Sequence, residues 1–167
     1  MARPIATVRN ILLNNKNEVL LLYRADVDWW ELGGGKIESE SFVDAAKREQ
    51  EEETGLKLEG VSQLVCVAES TGRKDKTKRY VEIILLWKKW SGDIILEECF
   101  DKYIWNPWKN LPKNLAESTK TALECLYQCN HYICEFPNSH TSFKTNKLIN
   151  KEENRFGELL KNAESDY

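Results

Sequence analysis

The sequence predicts an α/β fold in which a mixed β-sheet is covered by helices on both faces. Three observations carry this. Short β-branched and apolar runs recur between turn signals, two stretches have helical content with good stops, and the composition suits one packed domain. With 167 residues, 41% hydrophobic and 31% charged, the chain can bury a real core. A net charge of -3 argues against a whole-domain electrostatic grip on nucleic acid and leaves room only for a local basic patch. No apolar run approaches the roughly 20 residues of a membrane span. MARPIATVRN lacks the apolar stretch of a secretory signal, and an odd count of five cysteines fits a reduced compartment. A cytoplasmic monomer or homodimer without a membrane partner is expected.

The elements follow in order. Ile5–Leu13 is β-branched and apolar, Asn14–Asn17 is a turn signal, and Val19–Tyr23 reads as a second strand, so the two suggest a hairpin. Trp29–Leu32 is a short strand stopped by Gly33, Gly34 and Gly35. Ser41–Thr54 has helical content and ends at Gly55, a good residue just past a helix. A strand around Val61–Ala68, a polar loop from Glu69 to Arg79 and a strong strand from Tyr80 to Trp90 come next. After the turn at Ser91–Asp93, Asp101–Trp105 is a further strand and Leu115–Cys129 a second helix. Beyond His131 the chain is polar and irregular, with a weak amphipathic pattern over Lys151–Ala163. The expected division is a domain over 1–130 and an extension over 131–167.

The run KREQEEETG, Lys47–Gly55, is the informative stretch. Like charges at helical spacing weaken a helix by about 0.2–0.5 kcal/mol a pair, so four nearby glutamates need a reason. A solvated face is the plain one. On a wheel at 100° per residue, however, Phe42, Ala45 and Ala46 form an apolar arc that Glu49 and Glu53 continue, with Glu52 at its edge. Glu51 points the other way with Asp44 and Lys47. Carboxylates crowded against the protein body must be protonated, paired or metal-bound. Arg48 alone cannot neutralise three of them, whereas hard oxygen ligands suit Mg²⁺ or Mn²⁺. The glycines just before the helix offer backbone N–H groups to phosphate.

These residues carry a resemblance. Gly34, Glu40, Arg48-Glu49, Glu52-Glu53 and Gly55, followed by apolar Leu56, stand at the spacing of the Nudix box. A chance match is on the order of one in 10⁵ or rarer. The sequence departs from the family pattern at two places. Gln50 stands where an aliphatic residue is usual, and Gly33 where proline is common. Gln50 is expected toward the edge of the helix, away from the ligands. The resemblance, over roughly Ile5–Gln128, implies the Nudix α/β/α sandwich and hydrolysis of a nucleoside diphosphate linked to another group. It implies that Glu49, Glu52 and Glu53 hold the divalent cations, helped by the backbone carbonyl of Gly34 or Gly35. Arg48 would orient a glutamate, Glu40 would anchor the loop, and Glu52 or Glu53 would act as the base. Within the family, WELGGGKIE and YIWNPWKNLP are similar to stretches of the nucleoside triphosphate diphosphatase branch, which implies monophosphate and pyrophosphate as products.

Other candidates are weaker. Trp29 or Trp30 would stack on a base, unless both are core residues. Arg24 ends a strand and is a candidate phosphate contact, against a plain surface charge. Arg73, Lys74, Lys76, Lys78 and Arg79 make a basic loop, either solvated or gripping a polyphosphate or an RNA end. That loop keeps capped RNA and dinucleoside polyphosphates open as substrates, and a nucleotide-sensing module without turnover is a further alternative. Cys125, Cys129, His131 and Cys134 match no common zinc spacing well.

Overall fold

The structure, a computed structural model, describes residues 3–72, 75–107, 110–128, 133–135 and 145–146. The element order is β1 (Ile5–Leu12), β2 (Val19–Arg24), β3 (Trp29–Glu31), α1 (Phe42–Thr54), β4 (Lys57–Leu58), β5 (Gln63–Thr71), β6 (Arg79–Trp87), β7 (Trp90–Ser91), β8 (Lys102–Asn106), α2 (Glu117–Gln128), β9 (Ile133–Glu135) and β10 (Thr145–Asn146). The larger sheet is mixed, in the order β1-β6-β5-β9-β10, with β1 and β6 parallel and its other neighbours antiparallel. A second sheet runs β3-β2-β8, and β4 pairs with β7.

Strand periodicity explains the layering. Successive side chains point to opposite faces, so Ile84 and Leu86 enter one core while Leu85 and Trp87 enter the other. The first core includes Ala122, Leu123 and Leu126 of α2; the second includes Ala45 and Ala46 of α1. Both faces of β2 and β6 are covered, which is why VLLL and IILLW are continuous apolar runs. The sandwich expected from the sequence is therefore present.

α1 begins where Ser41 caps the Asp44 amide with its hydroxyl (3.1 Å), and ends where Gly55 turns left-handed at φ 72° and donates to the Glu51 carbonyl (2.8 Å). Three expectations change. The hairpin between the first two strands is absent: the turn at Asn14–Asn17 forms, but only Leu13 and Val19 bridge across it. β1 instead spends its edge on eight parallel pairs with β6, and β2 pairs with β3 and β8. Local spacing specifies a turn, and tertiary packing chooses the edges. β5 runs on to Thr71, with a bulge between Leu64 and Cys66, and the expected strand to Trp90 breaks after Trp87 so that Trp90 can pair with Leu58. The pattern at 151–163, Cys129 and His131 lie outside the described residues. Cys125 packs at the edge of the first core.

Candidate active site

Of the α1 glutamates, Glu49 and Glu52 pair with Arg48, while Glu53 feels the charge of Arg9. Arg48, 30% exposed, donates from Nη2 to Glu40 Oε1 (2.8 Å) and from Nη1 to Glu49 Oε1 (2.7 Å) and Glu52 Oε2 (3.0 Å). It also donates to the Lys36 carbonyl (3.0 Å), tying the loop before α1 to the helix. Hydrogen bonds to Glu40 and then Glu49 raise the Arg48 pKa further, and the same Arg48 contact holds Glu40 below the usual carboxylate range. Arg48 thus joins Glu40 and the Lys36 carbonyl of the preceding loop to the helix.

Glu53 belongs elsewhere. It is buried and accepts from the Gly34 amide (2.7 Å). Burial pushes its pKa up to about 8, against the opposing pull of the Gly34 N–H and the charge of Arg9. Glu49 packs against the glycine loop, where a Cβ on Gly35 would lie 2.1 Å from its Oε2. A side chain there would have to displace the Glu49 carboxylate. Glu52, at the edge of the apolar arc, has a side chain 57% exposed and sits at the solvent edge.

Gln50 is also corrected. It is 1% exposed, in the centre of the α1 contact with β1. Its amide donates to Thr54 Oγ1 (2.9 Å), and its Oε1 accepts from Asn10 Nδ2 (3.3 Å). Asn10 Nδ2 donates as well to the Ala46 carbonyl (2.9 Å), and Asn10 Oδ1 accepts from Trp87 Nε1 (3.0 Å). A polar clamp therefore replaces the aliphatic contact, and each buried group in it is paired. The second departure lies beside the first. A Cβ on Gly33 would meet Gln50 Oε1 at 2.7 Å.

A cavity of about 620 Å³ opens beside Glu53 and Gly34. Arg9, Glu31 and Glu82 line its inner wall, and Arg24 and Trp29 another part. Lys76 and Lys78 of the β5–β6 connection and Glu117 and Ser118 at the start of α2 complete it. Glu49, Glu52 and Arg48 are not on its wall. Arg24 is held by Asp26 through Nε (3.0 Å) and Nη2 (3.2 Å), with Glu31 at 4.0 Å. Trp30, expected at the substrate, is a core residue only 9% exposed, sharing the first core with Leu21 and the α2 side chains, and its neighbour Trp29 meets the cavity. Gly34 and Gly35 keep their carbonyls on Arg9 Nη1 and the Val8 amide (2.9 Å each), leaving each oxygen a second lone pair. Arg79 pairs with Glu69 at 2.5 Å in solvent, and Arg73 and Lys74 lie outside the described residues.

Arg9, Glu31 and Glu82 were not singled out from the sequence. Their signal is a charge interrupting an apolar strand, in TVRNILL, WWEL and YVEIILL. Among the described residues no three acidic, thiol or imidazole groups converge closely enough to hold a metal as they stand. Glu49 and Glu52 both pair with Arg48 in this arrangement. The donor set still fits a hard divalent cation. Carboxylates of Glu49, Glu52 and Glu53 lie along one helix beside two free carbonyl lone pairs, and a cation would hold the buried Glu53 ionised.

The chain belongs to the Nudix family: the NUDIX domain matches residues 3–126. It is a Nudix pyrophosphohydrolase, acting on a nucleoside diphosphate joined to another group. The MutT NUDIX hydrolase from Burkholderia pseudomallei is similar, with 27% identity and a TM-score of 0.68 over 75% of this chain and 99% of that one. A UDP-X diphosphatase gives 27% identity and a TM-score of 0.65, over 77% of this chain and 63% of its own. The MutT protein from Methanosarcina mazei Go1, at 23% identity and a TM-score of 0.68 over 78% and 98%, shares the fold. A comparison with curated proteins gave no match. Among the described residues no helix is long and apolar enough to cross a membrane.

Proposed function

We propose that the chain converts a nucleoside triphosphate to the monophosphate and pyrophosphate with Mg²⁺ or Mn²⁺, through a domain over 1–130 that carries 131–167 as an extension. The observation that carries this reading is the cavity itself, where buried Glu53 faces the same space as Trp29, Arg24 and Lys76. A divalent cation held by Glu49, Glu52 and Glu53, with the Gly34 or Gly35 carbonyl, would neutralise the diphosphate and acidify a water. Arg48 keeps Glu49 and Glu52 aligned, and Glu40 keeps Arg48 in place. Trp29 offers a face to the base and Arg24 a charge to a phosphate. Glu52 or Glu53 takes the proton of the attacking water. A second reading, capped RNA ends or dinucleoside polyphosphates, is favoured by Lys76 and Lys78 at the cavity.

The test is a panel of free nucleoside triphosphates, dinucleoside polyphosphates and capped RNA, assayed with Mg²⁺ and with products separated by chromatography. Monophosphate and pyrophosphate should appear first from free triphosphates, and excess chelator should abolish turnover. Diphosphate and inorganic phosphate as first products would overturn the reading. Faster cleavage of capped RNA would transfer it to the second.

A further inference from the structure

We propose that Glu82 and Arg9 form a positioning relay that holds the glycine loop so that the Gly34 N–H meets Glu53. Nothing in the box motif assigns either residue, and the two lie 73 positions apart. The relay runs through five elements. The Ser70 hydroxyl on β5 donates to Glu82 Oε1 on β6. Glu82 Oε2 accepts from Arg9 Nε on β1 (3.2 Å). Arg9 Nη1 donates to the carbonyls of Gly34 (2.9 Å) and Leu32 (3.4 Å), and the Gly34 amide donates to Glu53 on α1 (2.7 Å).

The relay adds to contacts that β1 already makes with the glycine loop. The peptide that presents its N–H to Glu53 joins Gly33 to Gly34. The Asn10 amide takes the Gly33 carbonyl (2.8 Å) and the Val8 amide takes that of Gly35 (2.9 Å), as a strand neighbour would. The carbonyls of Leu32 and Gly34 are left out of that ladder. Arg9 gathers both from one nitrogen, on either side of the peptide that matters. Gly34 has φ +130°, and three successive glycines lose more freedom on ordering than any other residues, so the loop needs such pins. Glu82, 3% exposed in its side chain, keeps the guanidinium turned toward the loop. A buried carboxylate beside a partly buried guanidinium contributes little net stability, and its use here is orientation.

A direct substrate contact is the competing role for Arg9, since it lines the cavity. The two roles separate. A substrate contact depends on Arg9 alone, whereas a relay fails equally when Glu82 is neutralised. The catalytic consequence rests on the metal-dependent reading above; the hydrogen-bond relay does not.

The experiment uses the full chain and its Arg9→Lys, Glu82→Gln and double variants, checked for folding by circular dichroism. If Glu82→Gln does not fold, Ser70→Ala, which removes only the hydroxyl given to Glu82, takes its place. In metal-free ¹⁵N-glycine-labelled protein, with eight glycines, Glu53→Gln identifies the Gly34 amide by its shift. That amide should also move in Arg9→Lys and in Glu82→Gln. Calorimetric Mn²⁺ binding should weaken about 10-fold or more in both, with turnover reduced and KM little changed. The double variant should be no worse than the worse single one. An unmoved Gly34 amide in both variants overturns the relay. So does a raised KM in Arg9→Lys with Glu82→Gln unaffected, which would make Arg9 a substrate contact. If the parent chain binds no Mn²⁺ while the Gly34 amide responds as expected, the metal reading fails and the relay stands.

Discussion

Arg48 and Arg9 serve the same helix in opposite ways. Arg48 is a surface hub whose carboxylate partners, Glu40, Glu49 and Glu52, lie within eight positions of it. Arg9 is 19% exposed in its side chain, and its partners Glu82, Gly34 and Leu32 are 73, 25 and 23 positions away. Contacts of the first kind are cheap to form and screened by water, and each contributes little to stability. Contacts of the second kind are costly to break, because a lone partner is left charged and buried. Between them the two arginines meet all three inward or edge glutamates: Arg48 meets Glu49 and Glu52 directly, and Arg9 meets Glu53 through Gly34 and through charge. The motif records only the first.

The sharpest separation of the two should come from Glu53→Gln. Turnover should fall on the order of 10²-fold or more, as for a lost metal or base contact. The metal-free protein should respond the other way. Folded, Glu53 titrates near 8; unfolded, it returns to the ordinary 4.5. Between those values the folded state holds the extra proton, so stability in chelator falls as pH rises through that window and is fully recovered below it. The slope is on the order of 1 kcal/mol for each pH unit, and Glu53→Gln should remove it. Urea melts at several pH values in chelator read this directly. An unchanged slope in the variant would mean that another group carries the proton.

Legibility followed the same divide. The wheel placed Glu53 and Glu49 inward and Glu51 outward because one helix fixes its own faces. The stop at Gly55 was readable for the same reason, its carbonyl partner Glu51 lying one turn back. The pairing of β1 with β6, the burial of Gln50 and the relay from Glu82 depend on which segments meet in space, which local spacing does not encode. Trp29 and Trp30 make the point at its smallest scale. Adjacent strand residues face opposite ways, and only the sheet pairing says which one meets the cavity. Even so, a charge inside an apolar strand was a visible mark for Arg9 and Glu82.

The clamp beneath the helix offers a smaller effect that tests the same idea of long-range pairing. Asn10→Val would strip partners from Trp87 Nε1 and Gln50 Oε1, both buried, at a cost of about 1–3 kcal/mol for each orphan. Gln50→Leu alone should cost less, because Asn10 keeps the Ala46 carbonyl and Thr54 keeps the Gln50 backbone carbonyl. In the double variant one orphan disappears, so the pair should be coupled by about 1 kcal/mol or more in urea melts. Additive losses would show that Gln50 and Asn10 are neighbours without being partners.

The smallest expected effect is at Glu51, two residues from Glu53 and equally acidic. Its side chain is 55% exposed, and its one recorded ion pair among the described residues is with Lys57 at 3.6 Å, also exposed. Neither arginine reaches it. If acidic charge along the run mattered only in sum, Glu51→Gln and Glu53→Gln would cost the same activity. With the two hubs arranged as they are, Glu51→Gln should leave turnover nearly unchanged and shift stability by no more than about 0.5 kcal/mol. Removing one negative charge from a crowded helix could even favour it slightly, since Glu51 and Glu52 both face solvent. Assays of the two variants side by side, at saturating Mg²⁺, decide the matter. Equal losses would mean that the helix face is misplaced and that the run acts as a diffuse field. A loss confined to Glu53→Gln would tie function to the glutamate that the Gly34 amide, pinned by Arg9, holds in place.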